Sequence, residues 1–141
     1  MRTIVNIDVP ALPPAIEFYS RALGLRLERI IDGDVAELSG ASSMVYLLAN
    51  PDDSPTPAKN TRGYSRHWTP VHIDFVVDDI EQAAAQALAA GAVRESECVI
   101  WRGSQCITFS DPFGHGFCLL QFDEDSYSDD NSAPLHLHPQ S

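Results

Sequence analysis

IVNIDV, Ile4 to Val9, and HIDFVV, His72 to Val77, are two versions of one strand, and pairing them decides the fold. Each places apolar residues at every second position on one face, the period of a half-buried strand. Outward from these two stretches the same order of elements follows. Residues 4–49 read strand, helix, glycine and three short strands, and residues 71–122 repeat that order. The strands are offset by 68 positions, and the glycines expected to end the helices, Gly24 and Gly91, by 67. A fixed internal period marks a duplicated structural unit. The chain is therefore expected to be an α+β protein of two tandem βαβββ modules whose mixed sheets close around a concave cleft. The expected boundaries are 1–50 for the first module, 51–70 for a linker, 71–122 for the second module and 123–141 for an acidic tail, with one domain overall at 1–125.

Local chemistry agrees with each element. Pro13 and Pro14 suit a first helical turn, where a missing N–H costs least. Ala15, Ile16, Tyr19, Ala22 and Leu23 recur at helical spacing. Arg26–Ile31, Asp34–Leu38 and Met44–Ala49 read as strands, separated by Asp32-Gly33-Asp34 and Gly40-Ala41-Ser42 turns. In the second module Asp79 and Gln82 form a capping-box pattern. Ile80, Ala83, Ala84, Ala87 and Leu88 are the expected buried stripe. Strands follow at Cys98–Trp101, Cys106–Ser110 and Phe117–Phe122, with the turn Asp111-Pro112-Phe113-Gly114 between the last two. The linker, NPDDSPTPAKNTRGYSRHWTP at 50–70, reads as a surface strap with Trp68 against the sheet. Its Arg62, Tyr64, Arg66, His67 and Trp68 also allow a lid over the cleft.

The 141 residues suffice for one compact domain. The net charge is −11, and without the five tail acids Asp123, Glu124, Asp125, Asp129 and Asp130 it is still −6. That argues against nucleic acid, which requires a basic footprint. No apolar run is long enough for a membrane span, and the N-terminus has no signal-peptide pattern. Cys98, Cys106 and Cys118 are odd in number and lack CxxC spacing. Reduced thiols and a cytoplasmic location are expected.

Three stretches carry a family likeness: IEFYSRALGL (Ile16–Leu25), HIDFVVDDIEQAAAQALAAGA (His72–Ala92) and FSDPFGHGFCLLQF (Phe109–Phe122). With them the chain resembles the vicinal oxygen chelate superfamily, the group of glyoxalase I, extradiol dioxygenases and the bleomycin- and fosfomycin-resistance proteins. The resemblance covers residues 4–122. It implies paired βαβββ modules and a homodimer. In metal-bearing members it implies ligands at four strand positions, which here are Ile4, Leu47, His72 and Cys118. Only His72 matches the usual His or Glu. Ile4 and Leu47 cannot coordinate, and Cys118 stands where a carboxylate is usual. A divalent ion needs three or four donors, so neither a metal nor another cofactor is expected. A shifted divalent site made by His72, Asp74 and Asp8 is the alternative. His115, in the last turn, and His67, in the linker, read as exposed or backbone-bonded.

On strands one and five the face away from the helices carries Ile4, Asn6, Asp8, His72, Asp74 and Val76. The polar members suggest a ligand-orienting cluster in an apolar pocket, walled by Trp101, Leu120 and Phe122 with Cys118 nearby. The structural alternative is that Asp74 and Asn6 pair across the module seam and that one of them holds His72 neutral. His72 and Asp74 are also the candidate catalytic pair, since an Asp–His pair can move a proton. No GxSxG elbow or phosphate loop is present. The expected function is to bind a small, partly apolar molecule in the cup without a metal. Whether there is catalysis stays open, the alternative being a metal-dependent or His72-assisted lyase, isomerase or dioxygenase-type enzyme. A third alternative is a filled cup and action through partners alone. A homodimer is expected, with Pro134 to His138, PLHLH, packed on a partner.

Overall fold

The computed structural model describes residues 1–123. The expected packing of PLHLH lies outside the described residues. The first module consists of β1 (Ile4–Val9), α1 (Leu12–Leu23), β2 (Arg26–Ile31), β3 (Val35–Ser39) and β4 (Met44–Ala49). The second consists of β5 (Ile73–Val76), α2 (Ile80–Ala89), β6 (Val93–Arg94), β7 (Val99–Trp101), β8 (Ser104–Ser110) and β9 (Gly116–Phe122). The strand orders are β1-β4-β3-β2 and β5-β9-β8-β6, with β7 also on β8. In both sheets the first strand of the module pairs in parallel with the last, and the other pairs are antiparallel. The fold is α+β, with two mixed sheets that form a cleft and not a closed barrel.

The two helices are held by different end chemistry. Gly24 ends α1 in the left-handed region at φ 70°, its N–H donating to the Ser20 carbonyl at 3.0 Å. Asp79 caps α2 by accepting the Gln82 N–H at 3.1 Å. Ile80, Ala84 and Ala87 face the core, but Leu88 does not and is exposed. The α2 stripe runs i, i+4, i+7, and Leu88 falls off it by about a quarter turn.

One edge strand departs from the expected repeat. Where the first module has continuous β2, the second has β6 and β7, both on β8. Between them the Glu95 N–H still reaches the Thr108 carbonyl, but the Thr108 N–H is taken by the Ser96 hydroxyl at 2.9 Å. A side chain replaces a backbone acceptor, and the strand breaks. β6 is too short to announce itself in a sequence.

The helix-facing residues Ile7 and Val9 of β1 are buried, as are Val45 and Leu47 of β4 and Leu119 of β9. Phe18 of α1 crosses into the second module, with its ring 6.4 Å from those of both Phe113 and Phe117. Gln86 of α2 donates to the Arg21 carbonyl at the end of α1 at 2.9 Å. The helices and this aromatic cluster join the modules through one core. Among the described residues no helix is long and apolar enough to cross a membrane.

Candidate functional site

β1 and β5 are each the outer strand of their own sheet, and together they line a cavity of about 350 Å³. Asn6 and Asp8 come from β1, His72 precedes β5, Tyr19 comes from α1, and His115 and Phe117 come from the β8–β9 turn and β9. The cavity lies on the seam between the two copies of the repeat. A second depression, about 490 Å³, lies between the end of α1, the β3–β4 turn, β5 and α2. Among the described residues Asp74 is the only ionisable one on its wall.

The polar residues of strands one and five are not one cluster. His72 Nε2 lies 3.1 Å from Asp74 Oδ1, and the Trp68 ring sits 4.7 Å from the His72 ring. Asp8 is committed elsewhere, accepting Arg62 Nε at 2.8 Å and Asn50 Nδ2 at 3.0 Å. The expected pairing of Asp74 with Asn6 is thus replaced by Asp74 with His72. Asp8 is also not among the ligand atoms that gather with His72 and Asp74, so the shifted metal set of His72, Asp74 and Asp8 does not form. In its place Cys118 approaches: the nearest ligand atoms of His72, Asp74 and Cys118 lie within 4.8 Å of one another. Cys118 Sγ is 3.4 Å from Thr108 Oγ1. Burial, with the Asp74 charge beside it, holds the Cys118 thiol above its ordinary pKa. Its neighbour Cys106 is pushed up to about 12, chiefly by burial.

The strand register corrects one assignment. Asn6 lies opposite Tyr46 and Ile7 opposite Leu47. Residues opposite each other share a face, so Leu47 points with Ile7 into the core, where it is fully buried. Tyr46 holds the equivalent of Cys118, because Asp74 lies opposite Cys118 as Asn6 lies opposite Tyr46. The Tyr46 hydroxyl donates to Glu37 at 2.8 Å. The first module therefore offers a metal only hydrocarbon from Ile4 and an engaged phenol. His72, Asp74 and Cys118 all come from the second module. These residues do not fit the four-position centre of the metal-bearing members.

The expected apolar wall is also displaced. Trp101, Cys118, Leu120 and Phe122 line neither of these cavities. Trp101 lies opposite Ser104, and Ser104 opposite Phe122. That row is four residues along β9 from Cys118, about 13 Å at strand rise.

A second imidazole–carboxylate pair was not expected. Asp111 is buried, and its Oδ1 accepts the N–H groups of Phe113 at 2.8 Å and His115 at 2.9 Å. Its Oδ2 accepts the Tyr19 hydroxyl and lies 2.7 Å from His115 Nδ1. Burial first, and the Asp111 charge second, raise the Tyr19 pKa well above its ordinary value. Tyr19 is 92 positions from Asp111 in the chain, and no local pattern announces that contact. The Asp111–His115 spacing inside one turn was the available signal.

The linker is tied down along its length. Arg62 holds Asp8, the Tyr64 hydroxyl donates to the Asn50 carbonyl at 2.7 Å, and Arg66 grips Glu95 through two bonds of 2.7 and 2.8 Å. These are the contacts of a strap across the seam.

The profile of the glyoxalase-like domain family matches residues 4–120. No curated protein sequence matches the chain. Among solved structures, a hypothetical protein from S. aureus aligns with a TM-score of 0.65 at 21% identity, over 86% of this chain and 96% of that one. A glyoxalase/bleomycin resistance protein/dioxygenase family enzyme from Burkholderia phytofirmans aligns at 0.66 and 16% identity, over 85% and 97%. The fosfomycin resistance protein FosX from Listeria monocytogenes aligns at 0.66 and 17% identity, over 89% and 96%. At these identities the likeness is one of fold.

Proposed function

Because this chain belongs to the glyoxalase-like domain family of the vicinal oxygen chelate superfamily, we propose that it binds a small, partly apolar molecule in the seam cavity without a metal ion. The observation that carries this reading is the cavity itself. Val5, Phe75 and Phe117 supply apolar wall, and Asn6, His72 and His115 supply polar groups at separate points around it. Its 350 Å³ falls within the roughly 300–1,000 Å³ of small-molecule sites. Apolar walls with a few fixed polar groups give affinity through burial and selectivity through orientation.

The test is a melting series of wild type, His72→Leu, Asp74→Leu and the double variant, with and without a panel of small aromatic and hydrophobic compounds. Both side chains are about a third exposed, so loss of one partner costs little folding stability. The ligand-induced rise in Tm should shrink in each variant while the unliganded Tm stays close to wild type. A strong coupling of the pair in stability, with no ligand shift in any protein, would mean that the pair only steadies the start of β5.

The grouping of His72, Asp74 and Cys118 favours a second reading, an enzyme that uses an ion or the His72–Asp74 pair in acid–base chemistry. Elemental analysis of protein purified without chelator decides on the ion. Well under one equivalent of Zn, Ni, Fe or Mn is expected, with no change of Tm in chelator. Stoichiometric metal that disappears in His72→Ala supports the second reading.

A further inference from the structure

We infer that the seam cavity selects a neutral ligand bearing a hydroxyl hydrogen-bond donor, which His115 Nε2 accepts, and that the Tyr19–Asp111–His115 chain exists at this wall to keep that nitrogen bare. The inference rests on the binding proposed above and narrows the class of its ligand.

The argument follows the protons. Asp111 has two oxygens, and both are occupied by donors: two backbone N–H groups on Oδ1, and the Tyr19 hydroxyl and His115 Nδ1 on Oδ2. With a hydroxyl and two backbone N–H groups already donating to it, the carboxylate is the acceptor in these contacts. It accepts from the ring as well, so His115 must place a proton on Nδ1. In the neutral ring the proton is then absent from Nε2, at the opposite edge of the imidazole. Among the described residues nothing in the protein bonds that nitrogen, and His115 lines the cavity. Tyr19 cannot compete for the role, because its hydroxyl is buried and spent on Asp111.

A second imidazole, that of His72, lines the same cavity, with Nε2 3.1 Å from Asp74 Oδ1. A ligand matching the bare His115 nitrogen donates a hydrogen bond. It is neutral and not a cation, because among the described residues no free carboxylate lines the cavity: Asp8 is paired with Arg62, Asp74 lies outside the lining, and Asp111 is buried behind His115. The apolar share of the lining, Phe75 and Phe117 included, suits an aromatic or alicyclic body behind the hydroxyl. A site built to accept from a hydroxyl rejects the analogue that lacks it, because the acceptor is left dry and unpaired.

The probes are naphthol and its methyl ether, near-isosteric molecules that differ in the donor. Titration into the wild-type protein, followed by NMR, should show naphthol binding about tenfold more tightly, the cost of one good hydrogen bond. In His115→Phe the two affinities should become equal. Asp111 keeps its other three donors in that variant. An independent measurement needs no variant: long-range ¹H–¹⁵N spectra of the wild type at neutral pH should show His115 protonated at Nδ1 and bare at Nε2, with Nε2 shifting on naphthol addition. Equal affinities in the wild type, a preference that survives in His115→Phe, or an Nε2-protonated ring would each overturn the inference while leaving the broader binding reading standing. Binding of neither probe would overturn it too, and the broader reading would then rest on its own ligand panel.

Discussion

Asp111 is the residue on which most of the second module's turn depends. Its carboxylate receives a hydroxyl from another module, two N–H groups of its own turn and an imidazole, all in a buried setting. Tyr19→Phe removes one donor and leaves the ring in place. It should cost about 1–3 kcal/mol in denaturant unfolding, the usual range for a hydrogen bond to a buried charged group. No loss would mean that water substitutes for the hydroxyl. Cys106 gives a second residue-scale expectation. Its pKa of about 12 lies above the ordinary 9.0, so the fold favours the neutral thiol. That contribution is complete below pH 9 and erodes as pH rises from 9 toward 12. At pH 8 the raised pKa keeps the thiol in its neutral form, and the thiolate is the nucleophile. Iodoacetamide at pH 8 should leave Cys106 unmodified in the native protein and modify it once denaturant is present, as read by peptide mass spectrometry. At this scale the sequence was partly legible. The alternation in HIDFVV put His72 and Asp74 on one face, and they meet. Leu47 was misplaced because a one-residue slip moves a side chain to the opposite face of a strand, and β4, MVYLLA, has too many apolar residues to fix its phase.

The strap and the β8–β9 turn depend on each other at the level of elements. Gly114 has φ 92°, a conformation that side chains resist, and a Cβ there would overlap the Tyr64 carbonyl oxygen of the strap. Gly116 also lies under the strap, but its Cβ would meet the movable end of Arg66, with Nη2 at 2.5 Å, and the Trp68 ring at 3.0 Å. Gly114→Ala should therefore cost about 2–4 kcal/mol, combining overpacking against backbone with left-handed strain, and Gly116→Ala clearly less. Equal costs in chemical denaturation would show that the strap yields as easily as a side chain. The Arg66–Glu95 pair fixes the same region. Hydrogen bonds from Arg66 hold the Glu95 carboxyl below its ordinary 4.5. A carboxyl with a lowered folded pKa stabilises the protein above its unfolded value and loses that contribution as pH falls through the folded value. The Tm gap between wild type and Arg66→Gln should thus be open at neutral pH and narrow below pH 4.5. A gap that stays constant into acid would show that Arg66 acts by packing alone. The elements themselves were legible wherever a full period repeats, as in α1 and β1. The β6–β7 break was not, because it depends on one hydroxyl, that of Ser96, capturing the Thr108 N–H.

Duplication gives the whole molecule its seam, since β1 and β5, copies of one strand, face each other there without belonging to one sheet. The repeat in the sequence therefore located the cavity, although it could not say which side chains from distant turns would reach it. Duplication also leaves two far edges, β2 in the first sheet and the broken β6–β7 in the second. Open edges with apolar side chains invite pairing with another chain. The edges differ in what protects them. β2 carries Arg26, Glu28 and Arg29 among its exposed residues, which discourage pairing by hydration and charge. β7 is VIW, with Val99 48%, Ile100 77% and Trp101 50% exposed, and it contains no charge. We propose that the protein forms a symmetric dimer through this edge, β7 meeting its own copy antiparallel about a two-fold axis, so that each residue is covered by the same strip on the partner. Sedimentation velocity at micromolar concentration should then show a dimer. Ile100→Lys should give a monomer, because a charge at the centre of the strip would be buried against its own copy. Leu27→Lys, on the guarded edge, should leave the dimer intact. A monomeric wild type removes the proposal, and a dimer lost in Leu27→Lys but kept in Ile100→Lys moves the interface to β2.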